Sequence, residues 1–395
     1  MTFMRNLSSS IVALGFVLPL LFLSSVHVNA QSLLANRGLG FVVEPVDARG
    51  AALGGVTLGL PRGEMSWTNP ADMAGLLAPG LQVVFQFDNF SADFDGRSAT
   101  GSTARFPLIM GAFPLGERWV LSAGYGGFLD QNWSIEQIDT LVFAGDTVVV
   151  RDRFSSTGGI ARLRLGASYS IAPPLSVGFA LDTYTGLSQR ELGRTFFPAQ
   201  SPPCCRVEWR YSGFGGTAGA AWSPSEAINV SAAASFGGTL EARSDTLDLE
   251  GGSFNIPTMI RAGGSARVTP NTEVALATEW SGWGALNGGL ETVGGSRDSW
   301  SVGGGLEWDG LQLRELPVPV RLGARYAALP FSWDRPGAPA AFPAERAVTG
   351  GIGLLLGGGA ARSDLSVEIG RRGGGDAALS ESYSRFVFSV TALGR

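Results

Sequence analysis

The sequence contains no lysine, and its single histidine is His27. All 29 basic residues are therefore arginine. Without lysine there is no Schiff-base or lysine general-base chemistry and no Walker-type phosphate loop. Because His27 falls in a stretch that reads as an export signal, the remaining chain has no imidazole. That excludes histidine triads, histidine metal sites and most general acid–base schemes, so no enzyme, no metal and no cofactor is expected. Charge is scarce as well: 16% of residues are charged, against about 25% in ordinary soluble domains. An acidic chain of net charge −5 without a basic cluster makes no nucleic-acid partner expected. The only cysteines, Cys204 and Cys205, are adjacent and follow Pro202-Pro203. Without histidine they form no zinc or catalytic site, and a vicinal disulfide is geometrically strained.

The N-terminus carries Arg5, an apolar stretch over 11–23 and Val28-Asn29-Ala30 ahead of Gln31. That order reads as a signal peptide over 1–30, directing export to the outer membrane of a Gram-negative-type bacterium. The alternative is an N-terminal membrane anchor, for which the apolar stretch is short. No later segment is an apolar run of 18 residues, so membrane crossing by helices is not expected.

What the sequence has in excess is glycine, 57 of 395 residues, and alternation. Ile228, Val230, Ala232, Ala234 and Phe236 share one face; Asn229, Ser231 and Ser235 share the other. Leu365, Val367 and Ile369 alternate with Asp364, Ser366 and Glu368, and Phe386, Phe388 and Val390 alternate with Arg385, Ser389 and Thr391. A period of two means strands with one apolar and one polar face. Fourteen such segments are read between residues 79 and 395, many longer than the usual ~5–6 residues and suited to tilted membrane strands of ~9–11. Short turns such as Leu115-Gly116-Glu117 and Thr269-Pro270-Asn271 alternate with long connections, among them 133–155 and 189–205. This is the pattern of an all-β transmembrane antiparallel barrel with periplasmic turns and external loops; a soluble sandwich would alternate too, with shorter strands.

The polar face carries Arg162, Arg164, Arg261, Arg267, Arg321, Arg325 and Arg385 beside Asp88, Asp182, Glu241, Glu273, Glu279, Asp364 and Glu368. Balanced signs point to ion pairs bracing the lumen rather than to an anion-selective strip. Trp119, Tyr169, Trp209, Trp222, Trp280, Trp283, Trp300 and Trp308 fall near strand ends, as interfacial girdles do. Leu141, Val142, Phe143, Phe196, Phe197, Phe331, Trp333 and Phe342 are apolar groups in predicted external connections. Exposed apolar clusters mark binding sites, so Phe196, Phe197, Phe331 and Trp333 are candidate ligand contacts; mutual loop packing is the other reading.

Residues 31–78 break the alternation. They hold Ala48-Arg49-Gly50-Ala51-Ala52-Leu53-Gly54-Gly55 and then Trp67-Thr68-Asn69-Pro70-Ala71-Asp72-Met73-Ala74-Gly75-Leu76. Later come Asn255-Ile256-Pro257-Thr258-Met259-Ile260-Arg261, Thr278-Glu279-Trp280-Ser281-Gly282-Trp283 and Val318-Pro319-Val320-Arg321-Leu322-Gly323. This series resembles FadL-type long-chain fatty acid transporters and the related PorV-type outer-membrane proteins. The resemblance implies about 14 strands with a small N-terminal luminal plug over 31–78 and a barrel over 79–395. It implies passive transport of hydrophobic small molecules, such as fatty acids, with lateral exit into outer-membrane lipid. A non-transport scaffold or secretion component of PorV type is the alternative. The barrel assembly machinery is the expected insertion partner, although the final residues Gly394-Arg395 are not aromatic.

Asn69, Pro70 and Ala71 read as a rigid luminal turn, either anchoring the plug or touching ligand. The third strand reads Gly124-Tyr125-Gly126-Gly127-Phe128. Glycine weakens strands and marks bulges, and the family resemblance places a lateral gate on this strand.

Overall fold

The computed structural model describes residues 32–36, 38–94, 97–143, 146–196, 205–245, 251–288, 295–333, 341–373 and 379–394. The signal segment, Phe197 and Cys204 lie outside these residues. Fourteen strands build a closed antiparallel barrel: β1 (Gly80–Phe94), β2 (Arg97–Leu115), β3 (Trp119–Asp130), β4 (Asp146–Ala172), β5 (Leu175–Phe196), β6 (Cys205–Ser225), β7 (Ile228–Ser244), β8 (Met259–Thr269), β9 (Thr272–Ser281), β10 (Ser299–Trp308), β11 (Val320–Ala328), β12 (Ala344–Leu356), β13 (Ala361–Gly373) and β14 (Leu379–Leu393). Strand β14 closes on β1 from Leu393↔Gly80 to Leu379↔Phe94. No helix among the described residues is long and apolar enough to cross a membrane; closure satisfies the wall's backbone groups within the sheet instead.

The alternation sorts the two faces. Leu165, Phe179, Phe214, Leu276 and Ile369 are exposed on the outside, while Ser168, Asp182, Thr217, Glu307 and Asp364 are buried inside. An outer face of this kind meets acyl chains. Trp119, Trp222 and Trp308 stand exposed at the short-turn end, with Tyr169 tilted against Trp119 at 4.6 Å, and Trp280 and Trp300 stand exposed near the long-connection end. Two expected girdle residues lie elsewhere: Trp283 is buried inside, and Trp209 packs on the same inner cluster.

The strands outrun the membrane. The expected long connection over 133–155 is instead a hairpin, with Trp133–Phe143 paired to β4 from Trp133↔Ser156 to Phe143↔Asp146. Much of the expected loop over 189–205 continues β5 to Phe196. Above the membrane both faces meet water, so the alternation that identifies strands fades. One expected luminal carboxylate also changes sides. A register shift opposite Gly213 and Gly215 turns Leu240 inward and Glu241 outward, where it pairs with Arg243 at 2.6 Å. Arg267 is exposed near the short-turn end of β8.

Candidate functional site

The segment described over 32–36 and 38–74 packs inside the barrel. Its α1 helix (Ala48–Ala52) starts at Asp47, whose carboxylate accepts from the Gly50 amide at 2.7 Å. Wall hydroxyls hold both ends: the Ala48 amide donates to Ser389 Oγ at 3.2 Å, and Thr349 Oγ1 donates to the Ala52 carbonyl at 2.7 Å. Arg49 forks onto Glu307 at 2.9 and 2.8 Å and reaches Glu64 at 2.6 Å. Arg321 then joins Glu307 to Asp364, the latter at 2.7 Å. The charges are buried but paired in fork geometry, which offsets their desolvation. The expected luminal ion pairs are present here and at Arg164–Asp182 and Arg385–Asp88; Glu307, Glu345, Arg372 and Glu381 belong to the same lattice and were not singled out by sequence.

Asn69, Pro70 and Ala71 are buried against the wall. Asn69 is fully buried. Its oxygen accepts from the Ala71 amide at 3.0 Å, starting the 3₁₀ turn Pro70–Met73, and its amide donates to Asp72 at 3.1 Å and to the Ala220 carbonyl at 3.2 Å. Ser176 Oγ donates to the Ala71 carbonyl at 2.9 Å. Burial pushes the Asp72 carboxyl up to about 7, against hydrogen bonds from Ser231, the Gly59 backbone, Ser66 and Asn69.

Wall glycines are the seats for this segment. A Cβ at Gly219 would stand 2.0 Å from Asn69 Oδ1, at Gly178 2.4 Å from the Ala71 nitrogen, at Gly303 1.9 Å from the Gly54 carbonyl oxygen and at Gly351 2.6 Å from Ala52 Cβ. Gly124 and Gly126 form a flat on β3 against which Trp67 lies, 2.9 and 2.5 Å from where their Cβ atoms would be. The guanidinium carbons of Arg162 and Arg164 stand 5.1 and 5.0 Å from the Trp67 ring centre, within cation–π range. Gly127 faces Val43 in the same way at 2.8 Å.

Strand β3 also carries an interrupted ladder, a seam in the wall. Its ladder with β2 runs only from Leu115↔Trp119 to Leu108↔Gly126. Beyond that point β2 continues with β1 to Phe94↔Arg97, while β3 continues with β4 to Asp130↔Gly159. Pro107, at the parting, has no N–H to offer. Phe128 lies inward, in phase with Gly124 and Gly126, whereas Tyr125 is exposed outside; the two expected rim residues thus face opposite ways. The freed edge of β3 is taken by the luminal strand Phe41–Val42, paired Phe41↔Asp130 and Val42↔Leu129, and the Val43 amide donates to the Phe128 carbonyl at 2.9 Å. Arg105 of β2 spans the seam to Asp130 of β3 at 2.8 Å. Small cavities of about 60 and 70 Å³ flank this strip, lined by residues including Phe128 and Met259 on one side and Phe331 and Leu34 on the other. Both fall far below the ~300 Å³ of a drug-sized pocket, so the seam stands closed.

Phe128 and Phe331 come together in an inner aromatic cluster. Trp283 stacks with Phe128 at 6.1 Å and meets Phe331 edge-on at 5.5 Å, and Tyr184 meets Phe128 at 4.8 Å. Met259, Ile256 and Leu286 complete it. Trp333 packs separately with Leu34, Ala92 and Leu379, and Phe196 is exposed at the end of β5. Trp283 was read only as a girdle residue.

Solved structures share this fold. The toluene transporter TbuX of Ralstonia pickettii aligns with a TM-score of 0.59 at 15% identity, covering 89% of this chain and 98% of its own. A Pseudomonas aeruginosa FadL homologue aligns with a TM-score of 0.60 at 12% identity, covering 89% and 99%. The monoaromatic hydrocarbon channel CymD aligns with a TM-score of 0.52 at 16% identity, covering 94% and 99%. No curated protein sequence matches the chain. The BamG family model matches residues 12–250, more than half of the sequence, and the chain belongs to the BamG family.

Proposed function

We propose that the protein passes small apolar molecules, such as aromatic hydrocarbons or fatty acids, passively across the outer membrane, with exit through the β2–β3 seam into lipid. The observation that carries this reading is the interrupted ladder, closed by Phe41–Val42 rather than by wall. A rigid structural barrel would complete that ladder. The Phe128–Trp283–Phe331 cluster beside the strip supplies an apolar contact surface, and the seam opens toward the exposed side chains of Phe106, Ile109 and Tyr125. An apolar ligand gains by leaving sideways, at about 0.8 kcal/mol per CH₂ kept from water. The named transport of TbuX and CymD supports the reading. The mechanism needs no catalysis: the strip peels from β3, the ligand passes Phe128, and the strip re-pairs. Insertion by the barrel assembly machinery is part of the proposal.

The test is a reversible lock. Val42→Cys with Leu129→Cys, in a chain with Cys204 and Cys205 replaced by serine, joins the strip to the freed edge. Oxidised protein in liposomes should lose uptake of toluene and of a fluorescent fatty acid, and reductant should restore it. Undiminished uptake in the oxidised protein places the exit elsewhere. If the unlocked protein binds neither probe while its barrel is intact, the non-transport scaffold of PorV type replaces this reading.

A further inference from the structure

The outward face of β11–β14, β1 and β2 changes character in a single row. Toward the short turns it is apolar, with Leu322, Ile352, Leu365 and Phe386 exposed, and this continues through Val348 and Ile369. One row further out, the ladder places Tyr326↔Arg346, Arg346↔Arg371, Arg371↔Ser382, Ser382↔Ser91 and Ser91↔Thr100 side by side. Trp300 meets Tyr326 at 5.0 Å with the rings tilted, and aromatic residues of this kind mark the membrane–water boundary. The row lies near the long-connection ends of its strands, at the external edge of the apolar band.

Two arginines therefore oppose each other directly across a ladder. Like charges in that position repel. The luminal arginines at 49, 164, 321, 325, 372 and 385 all have carboxylate partners. Among the described residues no carboxylate pairs with Arg346 or Arg371; Arg346 instead lies over the Tyr326 ring at 5.7 Å. A depression of about 1810 Å³ on this face is lined by residues including Tyr326, Arg346, Val348, Ile369, Arg371 and Ser382. The ladder row sets the arginines and hydroxyl residues side by side along it, next to exposed Val348 and Ile369.

We propose that this depression binds the phosphorylated glycolipid of the outer leaflet. Arg346 and Arg371 would hold a headgroup phosphate by forked hydrogen bonds, the hydroxyls of Ser382, Ser91 and Thr100 would contact the sugar, and an acyl chain would lie over Val348 and Ile369. An anion between the two guanidinium groups resolves their repulsion, and basic clusters at a membrane edge recognise anionic headgroups in this way. The site rests on the barrel's orientation in the membrane and not on transport.

The experiment is native mass spectrometry of the full chain, freed of lipid in detergent and titrated with diphosphorylated lipid A, dephosphorylated lipid A or inorganic phosphate. The wild-type protein should retain the diphosphorylated lipid. Arg346→Gln with Arg371→Gln should weaken retention by about tenfold or more, as loss of two charge-assisted contacts does. The double variant at the exposed residues Arg151 and Arg153, also to glutamine, is the control and should bind as wild type. Heat-modifiable migration of each variant shows that its barrel is formed. Equal retention by the Arg346/Arg371 variant, equal loss in the control, or equal binding of dephosphorylated lipid overturns the site. Complete displacement of lipid by millimolar phosphate overturns the glycolipid assignment in favour of a free anion.

Discussion

Asp72 is a buried carboxyl held by hydrogen bonds from Asn69 and Ser231. It titrates in place at about 7, whereas an unfolded aspartate titrates near ~3.9. The folded segment therefore binds the proton more tightly. Its contribution to seating is full below about pH 4, falls as pH rises toward about 7 and is constant above that. Amide-exchange protection at Ala74, whose N–H bonds the Ala71 carbonyl, should drop from pH 5 to pH 8 after correction for intrinsic rates. Asp72→Asn should flatten that dependence; an unchanged slope would refute the assignment. Trp67 is the large apolar contact on the β3 flat. Trp67→Ala should lower the local opening free energy of the segment by about 3–5 kcal/mol, read as faster proteolysis within 60–76 while the barrel survives. The Asn-Pro-Ala turn was legible, because an Asn before Pro is a capping signal wherever it occurs. The glycines were legible only as bends. Their role as seats depends on which segment lies against them across the lumen, and local sequence does not contain that.

Among elements, β2 and β3 differ from the other neighbours in the barrel. The seam is held by the luminal strip and by Arg105–Asp130, and Arg105 also reaches Asp88 at 3.1 Å. Arg105→Gln removes the charge that joins the two edges. Uptake of an apolar probe should rise several-fold while heat-modifiability is retained; reduced uptake with an intact barrel would show that the pair serves passage rather than closure. Arg321 of β11 is a structural counterpart away from the seam. Arg321→Ala leaves Glu307 and Asp364 short of a buried partner, and should cost about 3–5 kcal/mol, seen as a lower temperature for loss of the detergent-resistant form. Element type and number followed from alternation, because one face meets lipid and the other a polar lumen. Bulges escaped it: the flip at Glu241 needs one extra residue, which shifts the phase without changing composition. The seam itself needed pairing information, since a strand with a missing neighbour reads the same as one with a complete ladder.

For the whole molecule, the lumen is filled from one end by a segment with small residues and fixed charges. Deleting 35–76 removes Arg49 and Glu64 from the lattice and Trp67 from the wall. Planar-bilayer conductance of the deleted form should exceed that of the intact chain, and unchanged conductance would mean that another part of the chain blocks flow. The intact barrel should run faster unboiled than boiled on a denaturing gel, because closure leaves no edge for detergent to enter. The barrel was readable from alternation and order; the shape of the closed seam depended on distant segments meeting.

The ladder between β14 and β1 joins Leu393 to Gly80, and the Gly394 amide donates to the Pro79 carbonyl at 2.6 Å. Those residues are more than 300 positions apart in the sequence. Until β14 is made, β1 pairs with β2 but its other edge has no partner, and a product lacking β14 exposes two unpaired edges that lipid cannot solvate. Assembly therefore behaves as a count to fourteen with no partial credit. A chain must be kept soluble until β14 is available, and one lacking β14 should be a substrate for proteolysis rather than a weaker barrel.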